Sequence, residues 1–126
     1  MKFFSRKWIR PYDLNAHGSL FGGQLLQWID EEAAIFAMCQ LNNNSHIVTK
    51  YISEIDFKAS AKINEIIEMG MEVIGMGRTS VTLKAEVRNK VTKQTIITVE
   101  KLIFVAVDAD GKPTAHGCTM KDREGA

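Results

Sequence analysis

The sequence predicts an α+β fold, one long helix laid on an antiparallel sheet, from three observations. Between Leu20 and Leu41, the residues Leu25, Leu26, Ile29, Ala33, Phe36, Ala37 and Leu41 recur at three- and four-residue steps, the period of a helix. From Ile47 onward the pattern changes to strand after strand separated by short turns. Ahead of the helix lies a turn-forming stretch, Asn15-Ala16-His17-Gly18-Ser19-Leu20-Phe21-Gly22-Gly23, and no second helix is legible.

Taken in order, Lys7-Trp8-Ile9-Arg10 reads as a short opening strand stopped by Pro11. Asp13 to Gly18 is turn chemistry, and Ser19 can cap the helix that follows. Trp28, Ala34, Ile35 and Met38 fill the other sides of that helix with apolar groups, which predicts that it is largely enclosed. Asn42-Asn43-Asn44-Ser45 ends it. In the next strand Ile47, Thr49, Tyr51, Ser53, Ile55 and Phe57 fall on one side, with Lys50, Glu54, Asp56 and Lys58 on the other. Ala59 to Glu65 connects to a second strand, Ile66 to Met76, loosened by Gly70 and Gly75.

Gly77-Arg78 turns the chain into the clearest alternation, where Val81, Leu83, Ala85 and Val87 oppose Thr82, Lys84, Glu86 and Arg88. Asn89 to Lys93 turns again, and Thr95 to Val107 is the last long strand. Short turns favour an antiparallel meander of four or five strands within one domain, residues 1–126, with 119–126 as a flexible tail. One helix covers only part of such a sheet. Ile103, Val105 and Val107 are therefore expected to seek cover from the helix or from a second subunit.

Composition narrows the class. Sixteen basic and fifteen acidic residues leave a net charge of +1, which argues against a general nucleic-acid binder. The longest apolar run, Leu102 to Val107, is far too short to cross a membrane, and the N-terminus has no apolar segment of signal-peptide length. Cys39 and Cys118 form no disulfide framework, so a soluble cytoplasmic protein is expected. His17, His46 and His116 share no metal-ligand spacing, and no metal is expected. Asp108-Ala109-Asp110-Gly111 resembles the start of a calcium loop but lacks the later ligands, and a hairpin turn explains it better.

Two features carry chemistry. Gly22-Gly23 puts residues without side chains at the first turn of the helix, where unpaired N–H groups and the macrodipole can hold a phosphate or an oxyanion. The plain alternative is a helix start packed tightly against a strand. Asp30, with Leu26, Gln27, Ala33 and Ala34 as helical neighbours, sits at the edge of the buried face, while Glu31 and Glu32 are expected to point to solvent. A semi-buried carboxylate can act as base or nucleophile, or serve only as a structural hydrogen-bond acceptor. Asp30 lies seven residues past Gly23, roughly 10 Å along the axis at about 1.5 Å per residue. A base must come within about 3 Å of its proton. If both groups act on one carbonyl, the helix start of one subunit must meet Asp30 of another.

The stretch Asn15 to Gly23 with Asp30 following resembles the signature of hotdog-fold acyl-CoA thioesterases, of the brain-type acyl-CoA hydrolase and its small bacterial relatives. Gly77-Arg78-Thr79-Ser80 and the closing Phe104-Val105-Ala106-Val107-Asp108 with Gly111-Lys112-Pro113 agree, so the resemblance spans about residues 8 to 115. It implies a central helix wrapped by a five-stranded antiparallel sheet. Two protomers would pair edge to edge, often assembling further into tetramers or hexamers. It further implies an acyl-CoA substrate, no cofactor, Asp30 as base or nucleophile, Asn15 of the partner subunit as orienting amide and Gly22-Gly23 as oxyanion donor. Arg78, Thr79 and Ser80 would lie along the CoA, with His17 in the site loop. Family members commonly carry Pro-Val and then Gly-Asp where this chain has Ala61-Lys62-Ile63-Asn64-Glu65; Asn64 tolerates the left-handed turn, and Lys58 and Lys62 would supply charge to the nucleotide. Met69, Met71 and Met76 fit either an acyl pocket or plain core. The alternative function is a non-catalytic acyl-CoA-binding module. A dehydratase would need a histidine on the central helix, which is absent, and a transcriptional regulator would need a DNA-binding appendage.

Overall fold

One 19-residue helix, α1 (Gly22–Gln40), crosses an antiparallel sheet in the computed structural model, which describes residues 1–42, 44 and 46–120. The strands are β1 (Lys2–Trp8), β2 (Ile47–Ile52), β3 (Ile55–Phe57), β4 (Ile66–Met76), β5 (Ser80–Asn89) and β6 (Thr95–Ala106). Their spatial order is β1-β4-β5-β6-β2, with β3 also pairing β6. Only β4-β5-β6 form the expected meander. The strand after the helix crosses to the far edge, and the N-terminal strand takes the other.

Several boundaries differ from the sequence reading. The opening strand runs from Lys2 to Trp8 rather than Lys7 to Arg10, because Phe3 to Trp8 pair with β4 while Pro11 starts a single 3-10 turn, Pro11–Asp13. Ser19 does not cap the helix. Phe21 is the N-cap, without a side-chain hydrogen bond, and Ser19 instead bridges to Lys62. The single strand expected from Ile47 to Phe57 is two strands. Ser53 interrupts it by exchanging hydrogen bonds with Lys101, its N–H donating to the Lys101 carbonyl at 2.9 Å. The sheet thus has six strands, not four or five.

The core follows from the alternation of β5, where Val81, Leu83, Ala85 and Val87 are fully buried between the neighbouring strands and α1. Phe104 is fully buried among them; removing its ring should cost about 3–5 kcal/mol. The helix contributes Leu25, Trp28, Ile29, Ala33 and Ala37. It is not enclosed on all sides, since Glu31, Ile35 and Cys39 are exposed in the isolated chain. Glu32 is half-buried rather than solvated, because Ser5 Oγ of β1 donates to it at 2.5 Å and Lys7 lies 3.6 Å away. Val105 is buried within the chain, whereas Ile103 and Val107 stay partly exposed. Asn64 adopts φ 67°, the left-handed turn its side chain tolerates. Asp108 Oδ1 accepts the N–H groups of Asp110 and Lys112, which makes the 108–112 segment a turn. Of the tail expected at 119–126, residues 121–126 lie outside the described residues, as do Asn43 and Ser45 of the helix-ending run.

Candidate active site

The candidate residues fall into two groups at opposite ends of β6. The first is built by the loop before α1. Asn15 Oδ1 accepts the N–H of His17 at 2.9 Å and that of Ser19 at 3.2 Å, closing the loop with Gly18 at φ 78°. Asn15, His17, Ser19 and Gly22 then line a crevice of about 500 Å³ with Phe57, Lys58 and Ile96. Asp13, fully buried, anchors this loop: its carboxylate accepts the Arg10 N–H at 2.9 Å and Gln24 Nε2 at 3.5 Å, and its carbonyl accepts the Phe21 N–H.

The glycine pair is not forced by packing. A Cβ on Gly22 would meet Phe57 at 3.5 Å, an ordinary contact, and one on Gly23 would press only on the exposed ring of Phe21. A tight seat against a strand therefore does not account for them. What they do is leave the first-turn N–H groups open to an incoming group.

The second group centres on Asp30. Its half-buried carboxylate accepts a hydrogen bond from Thr49 Oγ1 on β2 at 2.9 Å. That bond engages Oδ1 and leaves Oδ2 able to accept a proton or a water. In the sheet register Thr49 pairs with Phe104 and Phe104 with Val81, so the turn carrying Arg78 and Thr79 lies at the same end. Arg78 is exposed and forms no ion pair with a described residue. The Thr79 carbonyl accepts the Ala106 N–H, and the Ser80 carbonyl accepts from His116 Nε2 at 2.9 Å. His116 Nδ1 accepts the Cys118 N–H, so Nε2 carries the proton.

One chain thus brings Asn15, His17 and Gly22 together, and separately sets Asp30 near the Arg78 turn. It does not unite the two. Lys58 lines the crevice but is held 2.9 Å from Asp56, and that hydrogen bond raises its pKa above the ordinary lysine value. Lys62 is exposed and does not line the crevice. Met69 and Met71 are buried on the opposite side of α1 from Asp30, and Met76 packs against the core. Thr49 carries no distinguishing signal in the sequence, where it shares its side of the strand with Tyr51 and Ser53, two further hydroxyl-bearing residues. Asp13 was missed as well; its signal is Arg10-Pro11 followed by an acid three residues after Arg10, the pattern of a capped turn.

The comparisons agree with this architecture. The thioesterase superfamily model matches residues 17–96, from the site loop to the start of β6. The chain is 31% identical over 109 residues to the acyl-CoA thioester hydrolase YciA of Salmonella typhimurium, covering 82% of this chain and 80% of that one. Its structure is similar to a hexameric thioesterase from Yersinia pestis, with TM-score 0.81, 26% identity and coverage of 90% and 93%. It is also similar to a hexameric hotdog-fold thioesterase of Campylobacter jejuni, with TM-score 0.77, 26% identity and coverage of 95% and 92%. The chain belongs to the thioesterase superfamily, and its helix-on-sheet architecture is the hotdog fold.

Proposed function

We propose that the protein is an enzyme that hydrolyses acyl-CoA thioesters to a carboxylate and free CoA, at a site shared between two copies of the chain. The observation that carries this reading is Asp30, a half-buried carboxylate oriented by Thr49 beside the sheet edge formed by β2. That edge exposes Val48, Tyr51 and Ile52, apolar side chains on a strand with one unpaired flank. A second copy across β2 would bring its Asn15–Gly22 crevice to Asp30; the Yersinia neighbour is a hexamer, and a two-fold pair of this kind is a unit from which such an assembly can be made.

The chemistry then runs within the shared site. Asp30 Oδ2 takes a proton from water as the oxygen attacks the thioester carbonyl. The N–H groups at Gly22-Gly23 of the partner stabilise the oxyanion. Collapse breaks the C–S bond, releasing CoA thiolate, which is protonated, and the acid. Because Asn15 Oδ1 is occupied by its own loop, Asn15 acts through its NH₂ as a donor to the carbonyl or the water. Attack by Asp30 itself to give a mixed anhydride uses the same geometry. Arg78 binds CoA phosphate as a bidentate donor, with Thr79, Ser80 and His17 along the ligand. Hydrolysis involves no net redox change, so the reading includes no cofactor. No helix among the described residues is long and apolar enough to cross a membrane; two cysteines, Cys39 and Cys118, that form no disulfide with each other support a cytoplasmic location.

Free-thiol release measured across short, medium, long and aromatic acyl-CoAs tests this reading. Turnover of at least one class is expected. Saturable acyl-CoA binding without thiol release would replace the enzyme with a binding module.

A further inference from the structure

The face of α1 turned away from Asp30 carries a second concavity. Between α1 and β1 lies a cavity of about 260 Å³ walled by Phe4, Ile35, Phe36, Met69 and Met71. A dry engineered cavity of about 150 Å³ holds benzene, so this one admits a larger apolar molecule. Two of its polar wall groups satisfy each other. Ser5 Oγ donates to Glu32 Oε2 at 2.5 Å, and Lys7 Nζ lies 3.6 Å from Glu32 Oε1.

Gln40 is the exception. The last residue of α1, it is only 9% exposed, lines the cavity, and hydrogen-bonds through its amide to no described residue. A buried amide without a partner is costly. The polar wall groups Ser5 and Glu32 already engage each other, so a lone water on the amide would find few further partners, whereas a buried water typically makes about three hydrogen bonds. A ligand with one polar atom and an apolar body fits better. The Glu32 carboxylate at the wall disfavours an anion.

We propose that this cavity binds a neutral, mainly apolar molecule, with one hydroxyl or carbonyl seated on the Gln40 amide. The walls accommodate a chain of about six to eight carbons on the volume scale set by the benzene cavity. This site is independent of thioester hydrolysis. Asp30 faces β2, whereas the cavity opens toward β1 at the other edge of the sheet.

The test is a nuclear magnetic resonance titration of the full-length protein with hexan-1-ol, hexanoate and toluene. Hexan-1-ol should shift the Phe36 and Met69 amides and the Gln40 side-chain NH₂ saturably, and should bind about tenfold more tightly than hexanoate. Gln40→Met should keep or raise the Tm of the free protein. It should weaken hexan-1-ol about five- to tenfold while leaving toluene within about twofold. Ile35→Trp, at the mouth, should abolish both. The proposal is overturned if hexan-1-ol perturbs the Asn15–Gly22 crevice instead, or if Gln40→Met binds the alcohol unchanged. It also falls if the same resonances move with protein concentration alone, which would make a second copy the occupant.

Discussion

Thr49 Oγ1 donates to Asp30 Oδ1 at 2.9 Å and so ties the middle of the central helix to the edge strand β2. The bond fixes which carboxylate oxygen is free. Thr49→Val keeps the β-branched shape and removes the donor. A hydrogen bond to a charged acceptor is worth about 1.5–3 kcal/mol, so kcat should fall about ten- to hundredfold. KM should change little, and Thr49→Ser should recover most of the loss. Steady-state thiol-release kinetics on the three proteins checks this.

If Asp30 and Asn15 belong to one site only across a subunit boundary, two inactive variants should complement. Asp30→Ala and Asn15→Ala are each expected to be inactive alone. Mixed under conditions of subunit exchange, half of randomly paired dimers keep one intact site, which restores about a quarter of wild-type activity. No recovery after exchange has been verified by mass spectrometry of labelled subunits would place both residues in one chain's site.

Arg78 stands exposed at the β4–β5 turn without an acidic partner among the described residues. Arg78→Ala should raise KM for acyl-CoA about five- to tenfold with kcat nearly unchanged, an effect that shrinks as salt rises. With an acyl-pantetheine substrate, which lacks the nucleotide phosphates, variant and wild type should be alike.

Stability at low pH should depend on Glu68. Buried on β4, it accepts a hydrogen bond from Lys93 at 2.9 Å and another from Arg88 at 2.6 Å. The Lys93 bond, and after it the Arg88 bond, hold its carboxyl below the usual glutamate range, despite the opposing effect of burial. A carboxyl depressed in the folded state contributes stability that is complete above its unfolded pKa of about 4.3 and is lost as pH falls through the lower folded value. Thermal melts of wild type should therefore lose Tm through that acid range. Glu68→Gln should be less stable at pH 7 and flatter in acid.

Local alternation made much of this fold legible. The sequence pattern predicts β4 with its observed bounds, Ile66–Met76, and in β5 the buried Val81, Leu83, Ala85 and Val87 alternate as their spacing predicts. What failed depends on neighbours far along the chain. Lys2 to Arg6 carry a weak strand signal and become β1 only because β4 offers them a ladder. Glu32 reads as solvated from its helix neighbours alone, and it is Ser5 and Lys7 of that same strand that half-bury it. In the candidate site Asn15, Gly22 and Asp30 were legible as a loop, a helix start and a carboxylate at the edge of an apolar face. Thr49 was not, because a threonine in a strand is ordinary until its 19-residue separation from Asp30 is closed by the fold. In the proposed reading the two halves meet only across two copies of the chain, a relationship that the residues of one sequence do not display.

The most direct measurement is thiol release from acyl-CoA by Asp30→Ala, with the oligomeric state of the variant verified to match wild type. Removing a group that takes the proton from attacking water should lower kcat by about a hundredfold or more while KM moves little. A variant that turns over within about twofold of wild type would contradict the account.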